Sequence, residues 1–322
     1  MAKKSSRIVV IGELNLDLIA GGLETPPIMG QEILARDFRM TLGSASAIFA
    51  SGIAKLGHSV TFISKVGDDA FGRDCRSTLR RNGISIRHVK VSRSSTTGVT
   101  VSLSTSADRA LVTHLGAIAE LKAAEIPRNA FSGAAHLHMT SYFLQHALRP
   151  SFAALFRRAS QQGLTTSFDP NSDPYQSWGR DIWDVIAETD IFFVNEAEAL
   201  QLSKRNSVEE ALTFLGSKAR CVVVKRGPLG AIGIRDGDRA TVPGFPIQAI
   251  DTTGAGDSFA AGFVHTYLER RELAECLEAG NVCGALSALQ VGGTAGQPSR
   301  AEFTKFLRKR RQGRARATSA MR

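Results

Sequence analysis

Asp251-Thr252-Thr253-Gly254-Ala255-Gly256-Asp257-Ser258-Phe259-Ala260-Ala261-Gly262-Phe263 is the stretch on which the reading of this chain turns. It follows Ile247 to Ile250 and opens an amphipathic helix. Gly254, Ala255 and Gly256 are small, so backbone N–H groups at this helix start can approach a ligand closely. Those groups lack intrahelical acceptors and carry the positive end of the helix dipole. The pattern predicts a site for phosphate, or for charge developing on a transferring phosphoryl group. Asp257 falls in the first turn beside that site. A carboxylate there can accept a hydroxyl proton while the oxygen attacks phosphorus in line.

On either side of this segment, strands and helices alternate. Strands are expected at Arg7–Gly12, Val60–Val66, Ala135–Met139, Thr165–Asp169, Ile191–Asn195 and Cys221–Lys225. Helices are expected at Ser44–Gly57, Asp69–Asn82, about 150–162, 196–203, 207–218, Gly254–Arg270 and Leu273–Gln290. This rhythm predicts an α/β fold with a mostly parallel sheet covered on both faces. Thr97–Ser104 and Ala110–His114 alternate like a hairpin outside that rhythm, and with part of 14–42 they are expected to form a small separate sheet. Ile232–Arg235 and Ala240–Val242 read as a late antiparallel hairpin.

The thirteen-residue segment from Asp251 resembles the C-terminal signature of the ribokinase-like (PfkB) carbohydrate kinase family. Other segments resemble it in the same order. They are Gly12-Glu13-Leu14-Asn15-Leu16-Asp17, the region from Lys55-Leu56-Gly57 to Gly72, Asn195-Glu196-Ala197-Glu198, and Lys225-Arg226-Gly227-Pro228-Leu229-Gly230. The resemblance implies a three-layer α/β/α sandwich with a small β lid over a sugar, and ATP-dependent phosphorylation of a hydroxyl. On it, Asp257 is the base and Gly254, Ala255 and Gly256 form the anion hole. Asp17 holds substrate hydroxyls, with Gly43, Ser44 and Asn171 beside it. Asn195, Glu198, Lys225, Gly227, Gly230 and Asn281 are expected on the ATP side. Glu198 organises Mg²⁺ through water, and a monovalent cation such as K⁺ sits near the backbone of Asp251 and Thr253. Mg²⁺ is also expected because no Walker-type lysine loop is present to neutralise the polyphosphate.

Three departures bear on the substrate. Where the family carries Gly-Gly and then Asn, this chain reads Leu42-Gly43-Ser44-Ala45-Ser46, so Ser44 or Ser46 is expected to supply hydroxyl contacts instead. Phe49 would narrow the pocket if it faced inward. Gly116-Ala117-Ile118 loses a polar group of the lid region. In Asp169-Pro170-Asn171-Ser172-Asp173, Asp173 stands where members acting on fructose or on keto-deoxy sugar acids often carry Arg; an acid there would repel a substrate carboxylate, which points to a neutral sugar or polyol. A nucleoside kinase of the same fold is the alternative and would need an aromatic wall, with Phe49 and Tyr142 as candidates. A non-catalytic ligand- or nucleic-acid-binding protein is the reading from another class.

The net charge of +10 suggests a polyanion partner at first sight, but eight basic and no acidic residues lie between Lys305 and Arg322, leaving +2 for the rest. Residues 1–304 are therefore read as one kinase domain, its lid built from about 14–42 and 95–115, and 305–322 as a disordered basic tail, with nucleic acid not expected as a partner. A homodimer through the lid is the expected assembly. Lys3-Lys4 before Ile8–Ile11 faintly resembles a signal peptide, but Glu13, Asn15 and Asp17 break the apolar run. No stretch is long enough for a membrane span. Four scattered cysteines without C-x-x-C spacing suit reduced thiols in the cytoplasm. His136 and His138 are read as packing residues rather than metal ligands, and Trp178 and Trp183 as packing a loop onto the core.

Overall fold

A computed structural model describes residues 5–105 and 108–320, with backbone alone for 311–320. Lys3 and Lys4 lie outside the described residues. Seven strands run parallel: β1 (Arg7–Ile11), β4 (Ser59–Gly67), β5 (Ser85–Ser92), β8 (His136–Thr140), β9 (Thr165–Asp169), β10 (Ile191–Asn195) and β11 (Cys221–Lys225). The antiparallel pair β12 (Ala231–Arg235) and β13 (Asp238–Val242) extends the sheet at one edge, giving the order β13-β12-β11-β10-β9-β8-β1-β4-β5.

Successive side chains on a strand point to opposite faces. Ile8 and Val10 of β1 therefore enter one core, and Val9 and Ile11 the other. Cys221 and Val223 of β11 join the first, Val222 and Val224 the second. The first core is roofed by α1 (Ala45–Lys55), α2 (Ala70–Arg81), α7 (Ala255–Tyr267) and α8 (Leu273–Ser287). The second is roofed by α3 (Phe152–Gln161), α4 (Ile182–Ala187), α5 (Glu196–Ser203) and α6 (Val208–Gly216). This is the expected three-layer sandwich. Strand β5 and helix α4 escape the sequence reading. The first is an edge strand with Arg87 and Lys90 exposed, and the second spans only Ile182–Ala187.

The lid is a four-stranded sheet in the order β3-β2-β6-β7, made of β2 (Asn15–Leu23), β3 (Asp37–Leu42), β6 (Gly98–Thr105) and β7 (Arg109–His114). Its register aligns Leu18 with Met40 and Val101, Ala20 with Phe38 and Leu103, and Val101 with Val112. One lid face is thus apolar. The other carries Asp17, Thr100, Ser102, Arg109 and Thr113, and these residues line a cleft against the main sheet.

The basic C-terminal segment departs from expectation. Helix α9 runs Arg300–Ala320 without a break at 305, and Phe303, Phe306 and Leu307 pack on the first core. Arg310 forms an ion pair with Glu278 at 2.8 Å. An apolar stripe that continues from Phe303 into the basic run explains the difference: charge density hid Phe306 and Leu307, spaced at helical intervals from Phe303.

Candidate active site

Helix α7 begins at Gly254, whose φ of 70° is the left-handed region that glycine adopts without strain. A side chain there would also meet Gly293 and Ile48 at 2.8–2.9 Å. Asp251 fixes the preceding turn, its Oδ1 accepting from Thr253 N (2.8 Å) and its Oδ2 from Gly292 N (2.8 Å). Among the described residues the N–H groups of Gly254, Gly256 and Asp257 have no backbone acceptor. They are open donors at the positive end of a thirteen-residue helix.

The turn is a seam between two clefts. Thr252, Ala255 and Gly256 line one, with Lys225, Gly227, Gly230, Phe245, Ile247 and Asn281. Thr253 lines the other, with Glu13, Asn15, Asp17, Ser44, Thr100, Arg109 and Asn171. The first is largely apolar; the second holds about 200 Å³ and sets hydroxyls, amides and carboxylates among the apolar side chains of Ile19, Leu111, Ile118 and Leu144. Asp257 lies in the first turn of α7, one residue past Gly256, and lines neither cleft itself; burial, then the nearby Asp169, push its carboxyl up to about 7. Lys225 opposes that rise. An acid held near neutrality beside open N–H donors can take a proton and remain beside the oxygen that loses it.

The sequence profile of the pfkB family carbohydrate kinase matches residues 5–300. The chain belongs to the pfkB family of carbohydrate kinases. It is 31% identical over 89% of its length to an ATP-dependent ribose-1-phosphate kinase of Halopiger xanaduensis, of which it covers 93%. It is 28% identical to fructokinase-1 of Oryza sativa, covering 95% of this chain and 99% of the relative. An Escherichia coli protein assigned as ribokinase II and solved with ATP and Mg²⁺ superposes with a TM-score of 0.82 at 26% identity, over 94% of this chain and 99% of that one.

In this pfkB-family chain, the cleft beneath the small sheet is built from distant segments. Asp17 lies on β2, its Oδ1 accepting from Asn15 Nδ2 at 3.0 Å, and burial raises its carboxyl to about 7. Gly43 does not line the cleft. Its role is steric, because a Cβ there would stand 2.1 Å from Asp17 Oδ1. Ser44 caps α1, donating to Glu13 O (2.6 Å) and accepting from Ala47 N (3.0 Å). Asn171 Oδ1 accepts from Ser141 N and Oγ, both at 3.0 Å.

Several expectations fail on geometry. Ser46 is fully buried and spends its hydroxyl on Glu13 Oε2 and Thr140 Oγ1. Phe49 stacks on His138 in the core at 3.6 Å between ring centroids, so it does not narrow the cleft. Tyr142 is buried with its hydroxyl donating to Asp181, so neither ring offers a stacking wall. Asp173 accepts from Tyr175 N, Ser177 N and Trp178 N, capping its own loop, and those bonds hold its carboxyl below the usual range. It is absent from the residues lining the cleft, so its charge is no filter on the substrate. His136 and His138 both bond Ser167 Oγ, and burial keeps both neutral.

On the nucleotide side, Asn195 and Glu198 line neither cleft. They form a reciprocal cap on α5: Asn195 Oδ1 accepts from Glu198 N (2.9 Å) and Glu198 Oε2 from Asn195 N (2.8 Å). Glu198 also accepts from Ser172 Oγ, and burial followed by the neighbouring Asp169 raises its carboxyl. Lys225 is tied to Asp169. Asn281 Nδ2 donates to Val242 O (3.1 Å) and Pro243 O (3.3 Å).

Among the described residues no group of three or more His, Cys, Asp or Glu could by itself hold a metal ion. Glu198 already accepts from Ser172 Oγ and Asn195 N, and Asp169 is tied to Lys225, so Mg²⁺ would be held chiefly by water and the substrate phosphates, with these carboxylates behind its waters. Both Asp251 carboxylate oxygens already serve the turn, leaving backbone carbonyls as the direct donors for K⁺.

Two site residues were missed by sequence reasoning. Glu13 is buried in the cleft wall, accepting from Ser46 N, Ser46 Oγ and Thr140 Oγ1. Its position one residue past Gly12 at the end of β1 was the available signal. Arg109 reaches from the lid across the cleft, its Nη1 donating to Thr253 Oγ1 at 2.7 Å. Nothing local marks it, because 144 residues separate the pair.

Proposed function

We propose that the protein transfers the γ-phosphoryl group of ATP to a hydroxyl of a sugar or related polyol. The observation that carries this is the seam: open N–H donors and a carboxyl near neutrality between an apolar cleft and a polyhydroxyl-lined one. Asp257 accepts the proton of the attacking hydroxyl. The N–H groups at 254–257 take the charge growing on the transferred group. Asp17, Asn15 and Asn171 orient the acceptor, while Lys225 and Arg109 add positive charge at opposite sides of the seam. Asn195 and Glu198 act from behind, holding the ends of β10 and α5, and Gly227, Gly230 and Asn281 shape the nucleotide side. Bound Mg²⁺ would supply neutralisation of the polyphosphate. The names of the relatives support a sugar acceptor.

None of the described residues lining the acceptor cleft is aromatic, which disfavours a nucleoside. A sugar already carrying a phosphate is a second reading, favoured by Arg109 in the cleft and by the ribose-1-phosphate kinase relative. A coupled assay over sugars, polyols, sugar phosphates and nucleosides separates these. We expect Mg²⁺-dependent turnover that excess EDTA abolishes and that rises with pH through about 7 as Asp257 ionises. Absence of transfer to every class would leave a non-catalytic binding protein instead. Equal rates in Na⁺, K⁺ and choline would remove K⁺ from the scheme.

The apolar outer lid face supports a second copy of the chain as partner. Phe38, Met40 and Val112 are 69%, 53% and 59% exposed. Phe38→Asp should convert a dimer to monomer by light scattering; a monomeric wild type would defeat this. No described helix is long and apolar enough to cross a membrane. Four free buried thiols suit the cytoplasmic location expected.

A further inference from the structure

The loop joining β13 to the anion-hole turn, residues 243–250, has no ladder partner and forms the outer wall of the nucleotide cleft through Phe245 and Ile247. Such a loop depends on side-chain anchors to hold one shape. Asn281 supplies one by donating to Val242 O and Pro243 O at the loop's start. The loop's far end is pinned by Ile250 N donating to Ala288 O at 2.8 Å, and Phe245 anchors its middle. Its ring meets Phe306 of α9 edge-on at 5.1 Å and 78°, and the Arg310 guanidinium lies over it at 4.2 Å. Arg310 is itself steered by the ion pair with Glu278, whose side chain is 9% exposed. Glu278 and Asn281 stand three apart on α8, so they share one helix face. Helix α8 therefore fixes the loop directly through Asn281, and fixes α9 against it through Glu278.

We infer that the C-terminal basic helix is part of the nucleotide site, with Phe306 and Arg310 as positioning residues that hold Phe245 as its apolar wall. This rests on the ATP reading of that cleft. Neither residue lines the cleft, so both act through Phe245. An apolar ring can support the base and sugar of a nucleotide, whereas its phosphates belong to the open N–H groups of the turn. Positive charge in this helix is partly a cation held on an aromatic face, a use that needs Arg or Lys and an apolar partner.

The test uses the full chain with Arg310→Ala, Phe306→Leu and Arg310→Lys. Removing one such aromatic or cation–ring interaction changes affinity by roughly a factor of ten or less. We expect KM for ATP to rise about tenfold in the first two variants, with kcat at saturating ATP and KM for the sugar within about threefold. Calorimetry should show the same loss for a non-hydrolysable ATP analogue and none for tripolyphosphate. Arg310→Lys should recover part of the affinity, since it keeps a cation over the ring. Unchanged KM for ATP in both variants overturns the inference. So does a parallel rise in both KM values with a matching fall in Tm, which would make α9 a general structural prop. If wild-type protein binds neither ATP nor its analogue, the ATP reading itself falls, a result distinct from either.

Discussion

The two halves of the seam are built in opposite ways. The transfer half is one continuous segment, Asp251–Asp257, whose geometry comes from a glycine turn and a helix start. The acceptor half gathers Glu13 and Asp17 around β2, Ser44 from the cap of α1, Arg109 from the lid and Asn171 from beyond β9. Chemistry that needs only oriented backbone N–H groups and one acid can be carried by local sequence. Recognition of a polyol needs donors and acceptors on several sides, and no single segment can surround a ligand. The 251–257 segment thus takes few supports from elsewhere, chiefly Gly292, Gly293 and Arg109, whereas the other half changes whenever any contributing loop does.

The harshest way to break the transfer half is Asp257→Asn. It keeps size and shape but removes the proton acceptor, so kcat should fall about 10²–10⁴-fold with ATP affinity within a few-fold. Retention of more than about a tenth of the turnover would sink the base assignment. The same variant reports on the protein's stability. Asp257 is raised from 3.8 to about 7, so the native state holds this proton better than the unfolded chain. The stability linked to it is present below about pH 4 and is lost as pH rises through 7. Asp257→Asn should therefore be more stable than wild type at pH 8, by roughly 4 kcal/mol at most, with the gap closing toward pH 4. Denaturant melts at both pH values decide this.

Breaking the acceptor half costs less per residue because its contacts are shared. Asp17→Ala should lower kcat/KM for the true acceptor about 30-fold or more, since a buried charged partner is lost. Unchanged kinetics would remove Asp17 from the cleft. Arg109→Ala tests a side chain that bridges the two halves, and should reduce kcat/KM by about tenfold without changing the fold by circular dichroism. If only the KM of a phosphorylated acceptor responds, Arg109 serves the acceptor rather than the transfer. Asp173→Asn should have the smallest effect on catalysis. It loosens a loop cap, so Tm falls while the preference between neutral and acidic sugars stays within about twofold. A switch in charge preference would restore Asp173 to the cleft.

Most of the large sheet and the glycine-opened start of α7 were legible in the sequence, because alternating apolar strands and a helix start are local patterns. The lid pairing was legible only in part: the 97–114 hairpin showed its alternation, but β2 and β3 are joined by an irregular stretch around Pro26-Pro27. The roles of Ser46, Phe49 and Asp173 were misread for a common reason. Each lies next to site residues in sequence, yet Ser46 turns toward Glu13, Phe49 toward His138 and Asp173 toward its own loop.

The fold class, the Gly254 turn with its open N–H groups and the first-turn place of Asp257 could be read from the residues alone, since these follow from periodicity and from what one helix start does to its own N–H groups. Three-dimensional packing was needed to settle which polar side chains face the cleft, that Arg109 meets Thr253, and that α9 continues past residue 305 to pack on Phe245. The physical reason is distance along the chain. Side-chain direction and long-range pairing depend on what the rest of the molecule leaves unfilled, and a charged run such as 305–310 discloses its apolar face only where a neighbouring loop presents a ring to receive it.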